Sequence, residues 1–155
     1  MAQLGEGDMA PDFKLPGDGG TQLGLASFIG KPLVLYFYPK ADTSGCTKEA
    51  NEFNALLKDF RKAGVAVVAV SPDPVKALDK FKAKYGLDFP LLGDESHDML
   101  EAYGVWAQKS MYGRSYMGVE RSTFLVGKDG RIAAVWRKVK VDGHAQEVLA
   151  AARAL

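Results

Sequence analysis

Two uninterrupted apolar runs, Leu33-Val34-Leu35-Tyr36-Phe37-Tyr38 and Val65-Ala66-Val67-Val68-Ala69-Val70, constrain the fold more than any other feature of the chain. Runs without alternating polar positions read as strands buried on both faces, the condition of central strands in a layered sheet. Between them Ala50, Phe53, Leu56, Leu57 and Phe60 recur at helical spacing, so a helix from about Ser44 to Lys62 packs on those strands. Gly64 ends it as a C-terminal cap. If that helix is a right-handed crossover, the two strands run parallel.

The rest of the chain extends this β-α-β start. The segment from Gly5 to Gly20 is rich in glycine, proline and aspartate and reads as an extended lead-in or small hairpin closing near Thr21 to Leu25. Pro74 opens a helix to about Tyr85, stopped by Gly86. Phe89 to Leu92 reads as a short strand and His97 to Tyr103 as a short helix. Ser122 to Val126 and Arg131 to Trp136, joined by Gly127-Lys128-Asp129-Gly130, form an antiparallel hairpin. A last helix runs from about Asp142 to Ala154. The order is β-α-β-α, a small β-α insertion, then β-β-α, for which a mixed sheet with helices on both faces is the natural packing. Several α/β arrangements share that pattern, although a flavodoxin-like sheet would want no terminal hairpin. With 155 residues, no internal repeat and no low-complexity linker, a single domain over 1–155 with a real core is expected.

Chemistry concentrates at Cys46, the sole cysteine. It lies where the first apolar strand ends, turns and enters the helix. Amide N–H groups point outward unpaired there, and the helix dipole favours negative charge, so this is a candidate thiolate. Thr43 places a hydroxyl within plausible reach of the sulfur, and by default is also an N-cap. One cysteine excludes an internal disulfide and a Cys-x-x-Cys exchange centre, and it suits a reducing compartment, with cytoplasm as the default. Cys46, His97 and His144 lack metal-ligand spacing, and neither histidine has a partner in sequence, so no metal, cofactor or histidine role is assigned. Twenty basic against nineteen acidic residues leave a net charge of +1, no reason for a nucleic-acid or anionic-membrane partner. No signal peptide and no apolar run of membrane-spanning length is expected.

Pro39, Thr43 and Cys46 match the Pro-x-x-x-Thr-x-x-Cys signature of peroxiredoxins. The string from Tyr36 to Ala50 resembles the bacterioferritin comigratory protein/peroxiredoxin Q subfamily. So does a second stretch: Tyr103-Gly104-Val105-Trp106, Lys109, Tyr112-Gly113, Tyr116 and Arg121-Ser122-Thr123-Phe124-Leu125. The resemblance covers nearly the whole chain, from Gly7 to the end. It implies a thioredoxin-like fold with an N-terminal extension and a central insertion. It further implies a peroxidase in which Cys46 attacks hydrogen peroxide or an alkyl hydroperoxide and becomes a sulfenic acid. The resemblance implies that an external thiol (thioredoxin, or glutaredoxin and glutathione) restores it, with a monomer or weak homodimer expected.

By the same resemblance, Arg121 supplies a guanidinium that holds the thiolate and the leaving oxygen, and Pro39 shields the sulfur and fixes the turn. A peroxide sensor or thiol relay, oxidised at Cys46 with incidental turnover, is the alternative reading. Many relatives carry a resolving cysteine where this chain has Asn51, or around Lys82, so the chain is of the one-cysteine form. Ser44 stands where proline is usual. Glu49 and Lys48 are expected on a solvated helix face, with a hydrogen bond from Glu49 into the arginine network as the alternative, and Trp106, Tyr112 and Tyr116 in the core and pocket wall. Arg137, Lys138 and Lys140 are expected at a solvated strand end.

Overall fold

The computed structural model describes residues 3–155. A hairpin of β1 (Lys14–Pro16) and β2 (Gln22–Gly24) leads into β3 (Leu33–Phe37). Then come α1 (Ser44–Ala55), α2 (Leu57–Lys62), β4 (Ala66–Ser71), α3 (Val75–Tyr85), β5 (Leu91–Gly93) and α4 (Asp98–Ala102). The chain continues through β6 (Trp106–Met111), β7 (Arg114–Val119), β8 (Ser122–Val126), β9 (Ile132–Trp136) and α5 (His144–Arg153). The main sheet has the order β5-β4-β3-β8-β9. Its β3, β4 and β5 are parallel, and β8 and β9 are antiparallel to their neighbours. This is the mixed, helix-flanked sheet the element order implied.

Every residue of β3 is buried because the strand sits mid-sheet between two cores. Val34, Tyr36 and Tyr38 face a layer with α1, α2, α3 and α5, whereas Leu33, Leu35 and Phe37 face a layer with α4, Val119 and the N-terminal segment. A strand wet on one face would have shown alternation instead. Among the described residues, no helix is long and apolar enough to cross a membrane.

Three expectations need correction. The single helix to Lys62 is broken at Leu56 (φ −98°, ψ 2°), whose carbonyl accepts from both Asp59 and Phe60. The break leaves Phe53, Leu57 and Phe60 all in the core; with no proline or glycine beside it, periodicity could not locate it. Second, the stretch after Val105 forms a separate β6–β7 hairpin whose two-residue turn is Tyr112-Gly113, both at positive φ. Tyr112 is therefore 97% exposed and Tyr116 44%, not core. Trp106 stacks on His97 with ring centroids 3.9 Å apart. Third, Arg137 is not simply solvated. It donates to the Leu4 carbonyl at 3.0 Å and lies over the Phe124 ring.

The α1–sheet contact centres on Phe53, fully buried and stacked on Tyr36 with centroids 4.5 Å apart and planes 7° from parallel. Phe53→Ala should lower the unfolding free energy by about 3–5 kcal/mol, as for other buried aromatics, read from urea unfolding.

Candidate active site

Strand register builds the site. β8 pairs with β3 so that Phe37 faces Ser122. The next residue outward on β8 is Arg121, which therefore arrives beside Tyr38, where β3 runs out. The Tyr38 N–H still bonds the Val70 carbonyl at 3.0 Å, but Pro39 has no N–H to continue the ladder. The chain turns away there, with Asp42 in the left-handed region at φ 64°, and enters α1 from an extended Thr43. The Thr43 carbonyl accepts the Thr47 N–H at 2.8 Å, closing the first helical turn around Cys46.

Arg121 is fixed at both ends. Its carbonyl accepts the Val139 N–H at 3.0 Å. Its guanidinium donates from Nη2 to Cys46 Sγ at 3.3 Å and from Nη1 to Glu49 Oε1 at 2.7 Å. A β-carbon on Gly45 would stand 3.3 Å from that Nη2, so glycine here leaves the guanidinium its approach to the sulfur. Cys46 and Glu49 are each 1% exposed. Burial opposes the Arg121 charge, but Glu49 and then Cys46 outweigh it and hold the guanidinium above its ordinary pKa. A fixed cation beside the sulfur stabilises negative charge on it in a poorly hydrated place.

The structure thus brings Cys46 and Arg121 into contact. Pro39 is half-buried at the start of the same turn. The exposed Thr43 donates its hydroxyl to the Lys40 carbonyl at 2.9 Å rather than to the sulfur, and it makes no side-chain cap. Glu49 is a correction: it is not on a solvated face but in a buried ion pair with Arg121. The signal was spacing, since Glu49 follows Cys46 by three residues and precedes Phe53 by four, on one helix face. Asp73 and Ser71, which hold the turn through the Ala41 N–H, carried no motif. On β6, burial and then the Arg121 charge pull the half-buried Lys109 ammonium below its usual pKa.

Four buried oxygens find no hydrogen-bond partner among the described residues: Tyr36 Oη, Tyr38 Oη, Thr47 Oγ1 and Glu49 Oε2. They lie on β3, on Tyr38 just past its end, and on the first turns of α1, around the helix start that carries Cys46. His144 is buried near them, Nε2 sharing a 2.7 Å hydrogen bond with Thr123 Oγ1. No cluster of three or more metal-binding side chains occurs among the described residues.

Burial pushes the Glu49 carboxyl up to about 7, against the pull of Arg121. The folded protein keeps a proton there that the unfolded chain releases near its ordinary 4.5. This contribution to stability is full at low pH and is lost as pH rises through 7. His144 acts in the opposite sense: burial lowers it to about 4, so its contribution grows as pH rises from 4 toward 6.5. Comparing parent with variant cancels the histidine. Between pH 5 and 8 the parent should lose on the order of 2 kcal/mol more stability than Glu49→Gln, measured by urea unfolding at both pH values.

Comparison with known proteins agrees with this geometry. Residues 6–135 match the AhpC/TSA family. The chain is 51% identical to a putative peroxiredoxin bcp of Coxiella burnetii over 143 residues, covering 92% of this chain and 95% of that one. It is 42% identical to peroxiredoxin Bcp of Escherichia coli strain K12 over 149 residues, 96% of each. A cysteine-to-serine mutant of Xylella fastidiosa PrxQ superposes with a TM-score of 0.94 at 41% identity, covering 99% of this chain and 98% of that one. The bacterioferritin comigratory protein of Xanthomonas campestris, described for alkyl peroxide reduction, superposes with a TM-score of 0.88 at 48% identity, covering 92% and 90%. Structures of Xanthomonas campestris peroxiredoxin Q exist with either of two cysteines replaced by serine, whereas this chain has Cys46 alone. A lone thiol at a helix start under a half-buried arginine, on this sheet and with these relatives, places the chain in the AhpC/TSA family as a thiol peroxidase of the Bcp/peroxiredoxin Q type.

Proposed function

We propose that Cys46 is the peroxide-reacting nucleophile, with Arg121, Thr43 and Pro39 as its immediate machinery, and that its substrates are hydrogen peroxide and alkyl hydroperoxides. The observation that carries this reading is the 3.3 Å contact between Arg121 Nη2 and Cys46 Sγ. The thiolate attacks the terminal oxygen of the hydroperoxide. An S–O bond forms, the O–O bond breaks, and the departing oxygen takes up a proton to leave as water or alcohol. Charge moves from sulfur to the departing oxygen, so a guanidinium that can face both is worth more in the transition state than before it. Pro39 limits water at the sulfur. Thr43 steadies the turn through the Lys40 carbonyl and, by rotating about χ1, offers its hydroxyl to the peroxide.

Cys46 is left as a sulfenic acid. With no second cysteine in the chain, the first external thiol condenses with it, releasing water and forming a mixed disulfide. A second thiol then displaces Cys46 and leaves as a disulfide. Thioredoxin and glutaredoxin with glutathione are the reductant classes this chemistry suits. The sulfur is nearly inaccessible, so a bulky reductant reaches it only once the first turn of α1 opens.

Cys46→Ser should abolish peroxide consumption with helicity and thermal midpoint near the parent's, because a serine hydroxyl is not ionised here. One equivalent of peroxide should add a single oxygen, seen by mass spectrometry, to the parent and none to the variant at that site. Sustained turnover by folded Cys46→Ser would remove Cys46 from the mechanism.

A further inference from the structure

The turn that carries the site is tied to the sheet by a side chain the mechanism above does not use. Asp73 lies just past β4, and its Oδ2 accepts two hydrogen bonds: from the Ala41 N–H at 2.8 Å and from Ser71 Oγ at 2.8 Å. The Asp73 N–H returns a longer bond to Ser71 Oγ at 3.3 Å. Ser71 is fully buried, and its carbonyl accepts the Asp94 N–H at 2.8 Å. A β-carbon on Gly93 would come within 2.4 Å of the Asp73 carbonyl oxygen, so the β5 backbone packs directly against Asp73. Asp73 is therefore part of the rigid sheet edge, whereas Ala41 is the midpoint of the Pro39-to-Thr43 turn.

The other restraints on that turn are weaker or internal. Pro39 has no N–H to give. The Thr43 hydroxyl bonds within the turn itself. Asp42 reaches Lys84 Nζ at 2.9 Å and Tyr85 Oη at 2.7 Å, but that ion pair is exposed and screened by solvent. Ala41 also packs against the core, but among the described residues the half-buried carboxylate of Asp73 is the hydrogen-bonded tie that fixes the middle of the turn to the sheet edge.

Taking Cys46 as the peroxide-reacting nucleophile, we propose that Asp73 is a positioning residue for the peroxide step: its Oδ2, held by Ser71, sets where Pro39, Thr43 and the first turn of α1 stand over the Cys46 sulfur and Arg121. A shift of about 1 Å in reacting groups is enough to slow a reaction roughly a hundredfold. Losing the tie therefore acts on two measurements in opposite directions. Peroxide attack slows because the groups around the sulfur are no longer held together. A bulky thiol reagent gains access, because the turn that covers Cys46 opens more often. A merely structural role would lower the melting temperature and leave both rates unchanged well below it.

The test is a single-turnover peroxide reaction on the full chain, paired with the rate at which Cys46 reacts with dithiobis-nitrobenzoate. Asp73→Ala should slow the peroxide step about ten- to a hundredfold and speed the bulky reagent several-fold. A single oxygen takes both hydrogen bonds, and the carbonyl of asparagine can do the same. Asp73→Asn should therefore stay within about threefold of the parent on both measurements. Lys84→Ala, which breaks only the exposed pair, should match the parent. A parent-like peroxide rate in Asp73→Ala, or equal losses in Asp73→Asn or in Lys84→Ala, would overturn the assignment. If Asp73→Ala does not fold, Ser71→Ala removes one of the two bonds and should give smaller changes in the same directions; unchanged rates there overturn it equally. A parent protein that consumes no peroxide is a separate result, and would overturn the peroxidase reading on which this rests.

Discussion

One guanidinium organises the reactive corner of this protein. Arg121 holds Cys46 with one nitrogen and Glu49 with the other, and both partners are buried. That geometry depends on the pairing of β8 with β3, because a slip of one residue would turn Arg121 to the opposite face of the sheet. It depends also on Gly45, the residue at which a side chain would crowd the guanidinium. Sheet register, helix start and glycine together serve one contact.

The arrangement is costly for stability. Arg121 offsets only part of the desolvation of the Glu49 carboxyl, whose second oxygen has no partner among the described residues. Tyr36 and Tyr38 bring two further unpaired hydroxyls beneath α1. The Tyr36–Phe53 stack, with Phe60 tilted against Phe53, supplies the compensating burial behind them. The proposed mechanism needs a sulfur that is shielded during peroxide attack and then reached by a larger thiol, which local opening at the helix start would allow.

Much of this was legible in the residues, and the rest was hidden for definite reasons. The unbroken apolar runs of β3 and β4 identify central strands because burial on both faces leaves no polar alternation. The Pro39, Thr43 and Cys46 spacing marks the turn, and the resemblance supplies Arg121, one of several arginines otherwise alike. The β6–β7 hairpin stayed hidden because Trp106-Ala107-Gln108-Lys109-Ser110 does not alternate cleanly, and Tyr112-Gly113 lacks the usual asparagine or aspartate of such turns. Glu49 lay on the buried face by spacing, but its charge argued for solvent until its partner from a distant strand was seen. Asp73 has no local signal, since its role exists only through the approach of a loop thirty-two positions earlier.

In the proposed mechanism Arg121 acts through a two-nitrogen fork rather than through charge alone. A pre-steady-state comparison of the parent with Arg121→Lys, mixing protein with one equivalent of peroxide and quantifying sulfenic acid in quenched samples, tests it most directly. Lysine keeps the charge but cannot hold Cys46 and Glu49 together in a plane. The peroxide step of Arg121→Lys should be slower by about a hundred- to a thousandfold, in line with loss of one preorganised donor to a developing anion. A variant that forms sulfenic acid at the parent rate would contradict it.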